Sequence, residues 1–330
     1  MRKLVQQAEE GRLSAERTPT VAQWMDRWLA DVASSTVRPT TLSRYEQEVR
    51  LHVKPALGRI RLDALRPHHI ADLYKAKRSE LSPTSIRRLH AMLRRSLTIA
   101  VRWGLISINP AQMVDPPAMT RTKIHPFSRE EAEQFRIAAA KDRLAARWLI
   151  GLLLGLRQGE VLGLTWDDVD LDGQSMAVNH ALQKIDNEFT LVAPKTKRSA
   201  RVLPIPTVVL ESLKRRRSDQ LADADLAAQL WQGNELDLLF TTHVGTPIER
   251  SNDYRAFQAL LKRAGLRKIR LHDLRHTAAS LMLEQGIPAR VVMELLGHSQ
   301  ISLTLDTYTH VDKRLLKDAS VLIERLTGGD

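Results

Sequence analysis

Apolar residues recur at helical spacing through the first third of the chain. Val21, Trp24, Met25, Trp28 and Leu29 fall on one face of a predicted helix, with Thr18 or Thr20 able to cap its start. A second helix is expected from about Pro39, where Thr40 or Thr41 gives the start signal and Leu42, Tyr45 and Val49 carry the apolar stripe. Pro55, Gly58 and Pro67 punctuate the next stretch, and a short helix follows over His68 to Lys77. Ser82-Pro83-Thr84 opens a long helix to about Trp103, with Ile86, Leu89, Met92, Leu93, Leu97 and Val101 on one face and Gly104 at its end. Residues 3–17 read as a short polar helix.

The pattern breaks between Asn109 and Lys123, where Pro110, Pro116 and Pro117 leave no periodicity; this segment reads as an interdomain linker. Ser128-Arg129-Glu130-Glu131 then starts a further run of helices to about Leu164. There the period changes. Residues 175–183, 188–193 and 200–205 alternate or carry β-branched side chains, with turn signals at Asp172-Gly173 and Asp186-Asn187, and predict three short antiparallel strands. Helices resume from Thr207, with loops near Gly245 and Lys268. Residues 311–327 form a last amphipathic helix carrying Leu315, Leu316, Ala319, Val321, Leu322 and Leu326. The fold class is therefore mainly α with a small antiparallel β-sheet. The expected divisions are a connector at 1–17, a helical domain at 18–108, a linker at 109–123, a second domain at 124–310 and a terminal helix at 311–330.

Charge adds a partner to this picture. The chain carries a net charge of +12, and residues 1–120 hold 20 Lys and Arg against 11 Asp and Glu. Such asymmetry suits a polyanion gripped by the first third, or else a merely soluble basic surface. On the long helix, Arg87, Arg88, Arg94 and Arg95 stand at i, i+1, i+7 and i+8, so they cluster on one side; with Thr41 and Arg44 they are candidate contacts for that polyanion, set against the alternative of a solvated charged face. With no cysteine, disulfides and thiolate-ligated zinc are excluded. The N-terminus shows no apolar signal-peptide run, and the most apolar stretch, Trp148 to Leu156, is too short to span a bilayer. No membrane partner is expected.

Three clusters in the second domain could carry chemistry. Arg157 follows an apolar helix within Gly155-Leu156-Arg157-Gln158-Gly159-Glu160, where it is either a structural ion pair with Glu160 or a rigidly held phosphate ligand. His272 and Arg275, three apart, would share a helix face and could donate to two oxygens of one phosphate. His272 and His276 also have the i, i+4 spacing of zinc-binding helices, but Asp273 stands where that motif carries glutamate and no strong third ligand is evident. The third cluster is Leu295-Leu296-Gly297-His298-Ser299, followed by Tyr308; a helical tyrosine is usually a packing residue, and its phenol needs assistance to act as a nucleophile.

In this order and at these separations the clusters resemble the catalytic domain of the tyrosine recombinases, the phage integrase family, and the resemblance runs over about residues 20–327. It assigns the first arginine to Arg157 with its acidic companion Glu160, the H-x-x-R motif to His272 and Arg275, the L-G-H motif to Leu296-Gly297-His298, and the nucleophile to Tyr308. The hairpin lysine falls on Lys195, with Lys197 as its rival. Residues 20–116 resemble the family's helical, SAM-like core-binding domain. The resemblance implies a site-specific recombinase that breaks and rejoins DNA through a 3′-phosphotyrosyl link, with no metal and no cofactor. It implies double-stranded DNA with inverted-repeat core sites as partner, a homotetramer on two sites, accessory proteins for directionality or DNA bending, and a cytoplasmic, nucleoid-associated setting. Lys197, Arg198 and Arg201 are expected on the hairpin, tracking the DNA backbone. The terminal helix is expected to dock on a neighbouring protomer.

Overall fold

The computed structural model describes residues 18–118, 125–185, 187–193 and 200–297, and its chain divides into two compact units at Thr122–Lys123. The connector at 1–17 and the terminal helix at 311–330 lie outside the described residues.

The first unit is helical. Helix α1, Val21–Trp28, starts at Thr20, whose hydroxyl accepts from the Gln23 amide while the Gln23 side chain accepts from the Thr20 amide. It runs on through a wider π-type turn, Leu29–Ala33, to Thr36. Helix α2, Pro39–Glu48, has proline in its first turn and likewise continues through a π-type turn, Val49–Val53. After a short helical turn, Lys54–Leu57, come helices α3, Pro67–Lys77, and α4, Pro83–Arg102; Ser82 caps α4, and Gly104 follows it at φ 73°. Trp24, Met25 and Trp28 are fully buried among Ile86, Leu89, Met92 and Leu93 of α4. Each such side chain contributes about 1.5–3 kcal/mol on leaving water. The Trp24 indole donates to Ser96 Oγ at 3.2 Å, which satisfies the polar edge of a buried ring. Residues 109–114, read from the sequence as the start of the linker, pack in this unit instead: Asn109 caps a short turn, Pro110–Met113, that seats Ala111 in the core. The prolines signalled a break in periodicity but carry no information on where the broken segment packs.

The second unit opens with α5, Arg129–Ala139, capped as expected by Ser128 and Glu131. Helix α6, Ala145–Leu149, continues as a π-type turn, Ile150–Leu154, and is buried nearly throughout. A short helix α7, Gln158–Leu162, follows. Among the described residues five strands then stand where three were expected. Strands β1, Val169–Asp170, β2, Ser175–Val178, and β5, Arg201–Pro204, form one antiparallel sheet in the order β1-β2-β5. Strands β3, Ala181–Ile185, and β4, Glu188–Val192, form a separate hairpin. The run 175–183 thus divides at Asn179-His180, and Arg201 pairs with Val178 rather than lying on the β3–β4 hairpin. Alternation of side chains is compatible with one strand or two, so the sequence does not show the division. Helices α8, Thr207–Ala227, α9, Arg250–Arg263, α10, Asp273–Glu284, and α11, Ala289–Leu296, follow. The core gathers Phe135, Trp148, Leu149, Phe240 and Phe257, all fully buried.

Candidate active site

The apolar helix α6 and its π-type turn end at Gly155, which adopts the left-handed conformation at φ 62°. A side chain is excluded there on two counts: the conformation disfavours L-residues, and a Cβ would stand 2.4 Å from Leu296 Cδ2. The turn brings Arg157 out in an extended conformation at the start of α7. Its backbone amide donates to Glu160 Oε2 at 3.0 Å, and its guanidinium Nη1 lies 2.6 Å from Glu160 Oε1. Nη2 donates to the Gly297 carbonyl oxygen at 3.2 Å. The ion pair of the first reading is present, yet 40% of the Arg157 side-chain surface remains open, enough for a guanidinium to meet an anion.

Glu160 is shared. Arg201 Nη2 on β5 reaches Glu160 Oε2 at 3.1 Å, and Arg201 Nε donates to the Leu295 carbonyl oxygen at 2.7 Å. Burial by itself would raise the Glu160 carboxyl; Arg201 and Arg157 outweigh it and hold the pKa below the usual carboxylate value. The sequence placed Arg201 among the residues tracking DNA backbone. Its side chain is only 8% exposed and turns toward Glu160 and the Leu295 carbonyl, so its expected place on the hairpin is corrected. The physical reason is its strand: Arg201 belongs to β5, which pairs with β2, and not to the β3–β4 hairpin that precedes it.

Arg275 lies in the first turn of α10, 2% exposed, and its Nη1 donates to the Gly155 carbonyl oxygen at 2.9 Å. His272 is the residue before α10, so the expected shared helix face becomes a cap-to-first-turn relation: the Arg275 amide donates to the His272 carbonyl at 3.1 Å. Burial first, then the charges of His276, Arg275 and Arg157, push the His272 imidazole down to about 4. The rings of His272 and His276 stand 5.1 Å apart and nearly perpendicular. Among the described residues no three His, Cys, Asp or Glu side chains come together at metal-binding range. Asp273, which sequence reasoning considered only as a mismatch to a zinc motif, anchors this corner: it accepts from the Arg270 amide at 2.9 Å and pairs with the Arg270 guanidinium at 2.8 Å.

The neighbourhood of Arg157 is closed by Gly297, which ends α11 in the left-handed conformation at φ 65° and carries the acceptor for the Arg157 guanidinium. Lys195, Lys197, Arg198, His298 and Tyr308 lie outside the described residues. The structure brings Arg157, Glu160, Arg201, His272 and Arg275 around the end of α6, the start of α10 and the end of α11.

A further buried pair was not legible in the sequence. Arg147 and Asp253, 106 positions apart, make a two-pronged ion pair at 2.9 and 2.8 Å with both side chains essentially inaccessible. Gln158, next to Arg157, donates to the same carboxylate at 2.8 Å.

In the first unit, Arg87, Arg94 and Arg95 line an open cleft of about 940 Å³ together with His90, Arg102 and Thr36. Arg87 donates to the Pro117 carbonyl at 3.0 Å and Arg95 to Thr36 Oγ1 at 2.9 Å, which fixes both. Arg94 and Arg88 are exposed. Arg44 is exposed and lies 3.7 Å from Glu48 on the same helix; Thr41 is half-buried in its first turn. Among the described residues no helix is long and apolar enough to cross a membrane.

Comparison with known proteins places the chain in a family. The sequence profile of the phage integrase family matches residues 127–314, and that of the phage integrase N-terminal SAM-like domain matches residues 20–78. The chain is 32% identical to a "Tyrosine recombinase XerC-like" protein of Caldanaerobacter subterraneus subsp. tengcongensis, over 88% of this chain and 79% of that one. It is 30% identical to an integrase of Saccharopolyspora erythraea, over 96% of this chain and 85% of that one. Among solved structures, the Tn1549 transposon integrase in complex with a circular intermediate DNA superposes with a TM-score of 0.75 at 21% identity, covering 93% of this chain and 99% of that one. A lambda integrase dimer bound to a COC′ core site superposes with a TM-score of 0.65 at 19% identity, covering 86% and 97%.

Proposed function

Because the chain belongs to the phage integrase family and is a tyrosine recombinase that carries out site-specific DNA recombination, we propose that it does so through a phosphotyrosyl intermediate on Tyr308. The observation that carries this reading is the convergence of Arg157 with His272 and Arg275, which lie more than a hundred residues further along the chain. Attack on a phosphodiester builds negative charge on the non-bridging oxygens. Fixed guanidinium groups aimed at that charge stabilise the transition state more than the ground state. Arg157 and Arg275 supply them. His272, neutral at physiological pH, accepts the phenol proton of Tyr308 as the oxygen attacks phosphorus. His298 adds a hydrogen bond to the phosphate. Lys195, or Lys197 in its place, gives a proton to the departing 5′-oxygen. One phosphodiester is exchanged for a phosphotyrosyl ester and a free 5′-hydroxyl. Bond energy is kept, and the scheme draws on neither metal ion nor nucleotide.

The substrate in this reading is double-stranded DNA with inverted-repeat core sites. The N-terminal unit holds it through Arg87, Arg88, Arg94 and Arg95, with Thr41 and Arg44 beside them, and Lys197 and Arg198 follow the backbone near the cut. Four chains pair two sites, residues 311–330 of each docking on a neighbour, with directionality or DNA-bending proteins as further partners of a nucleoid-associated enzyme. Covalent trapping tests the reaction. The chain is incubated in EDTA with nicked duplexes from the DNA flanking its own gene. A denaturant-resistant adduct mapped to Tyr308, and lost in Tyr308→Phe, is expected. A cut that needs metal and leaves no adduct would overturn the mechanism.

A further inference from the structure

Arg201 makes several of the contacts expected of a brace. Its side chain is 8% exposed. One nitrogen meets the carboxylate oxygen of Glu160 that also accepts from the Arg157 amide, and another meets the Leu295 carbonyl, two residues before Gly297, which itself accepts from Arg157. Glu160 and the end of α11 are thus the two surfaces against which Arg157 is set, and Arg201 touches both. A Cβ on Gly297 would stand 2.9 Å from Arg201 Nη1, so the two groups are in close register. Strand β5 also begins here, six residues after Lys195 in the chain. We infer that Arg201 is a positioning residue of the recombination reaction, which fixes Arg157 through Glu160 and the end of α11 and does not itself contact DNA.

The inference rests on the reaction proposed above. A forked guanidinium is the side chain suited to this task, because it spans a carboxylate and a carbonyl in one rigid plane. Lysine would keep the charge and lose the fork. A misplacement of a catalytic group by about 1 Å is enough to slow chemistry ~100-fold.

Two measurements on the full chain test this. The first is the salt dependence of binding to a plain 30-base-pair duplex, for wild type, R201K, R201Q and the charge-balanced pair E160Q/R201Q. A positioning role leaves affinity and slope unchanged in all three variants. A slope lower by about one in R201Q, the mark of a lost phosphate contact, would overturn the inference. The second is the single-turnover rate of Tyr308 adduct formation on saturating DNA. Expected are a fall of ~100-fold in R201Q, a smaller fall in R201K, and a fall in E160Q/R201Q no greater than in E160Q alone, since the two act through one contact. The double variant leaves no charge buried alone, so it guards against a folding defect. Rates unchanged in all variants, or losses that multiply, would overturn the inference. The salt arm requires no cleavage and judges Arg201 even where wild type forms no Tyr308 adduct, which is the result that would sink the proposed reaction instead.

Discussion

Arg275 donates from Nη1 to the carbonyl oxygen of Gly155 at 2.9 Å, so the second arginine of the site is tied to the turn that presents the first. The acceptor exists because Gly155 can take a left-handed conformation between a buried helix and Arg157. Gly155→Ala should strike Leu296 and Ala278 as well as strain the backbone. We expect a loss of about 2–4 kcal/mol, from left-handed strain plus overpacking, measured by urea denaturation. A loss within ~0.5 kcal/mol would show that the turn relaxes freely.

Asp253→Asn leaves Arg147 charged and buried without its carboxylate, and takes a charged acceptor from Gln158. The expected cost is about 3–5 kcal/mol. Replacing both partners, as Arg147→Met with Asp253→Leu, should cost less than the single change, because no charge is stranded. Denaturant midpoints of the three proteins decide the order.

The His272 imidazole sits at about 4 instead of its ordinary 6.5. In the unfolded chain the ring takes up a proton as pH falls through 6.5; in the folded chain it resists until about 4. The unfolded state binds more protons across that window, so stability falls as pH drops from 6.5 to 4. His276, also lowered chiefly by burial, acts in the same direction. His272→Gln should flatten the slope in part. NMR titration of the free protein should find the His272 ring neutral at pH 5.5, and a midpoint near 6.5 would refute its buried, cation-flanked setting.

Arg94 is exposed on the cleft of the first unit, whereas Arg87 and Arg95 are held by Pro117 and Thr36. Arg94→Gln should lower the salt slope of duplex binding by about one. An unchanged slope would remove the cleft from the DNA surface.

How much of this was legible varies with the range of the interaction. Local signals read well: Thr20, Ser82 and Ser128 each cap the helix they announce, because a cap involves residues two or three apart. Glu160 as partner of Arg157 was legible for the same reason. The Arg147–Asp253 pair was not, since a contact across 106 positions leaves no spacing to detect. Arg201 shows the same limit: its charge is visible, but whether it faces solvent or Glu160 depends on β5 pairing with β2 and not on β5 itself.

Arg157 takes its hold on Gly297 across 140 positions, and Arg201 its hold on Leu295 across 94. Synthesis runs from the N-terminus at roughly 5–20 residues per second, so about 7–28 s of elongation separate Arg157 from its latch. The basic first third is complete well before that. On the ribosome the whole first unit is therefore made before the partners that hold Arg157 exist, so the centre around Arg157 is among the last parts of the described chain to assemble.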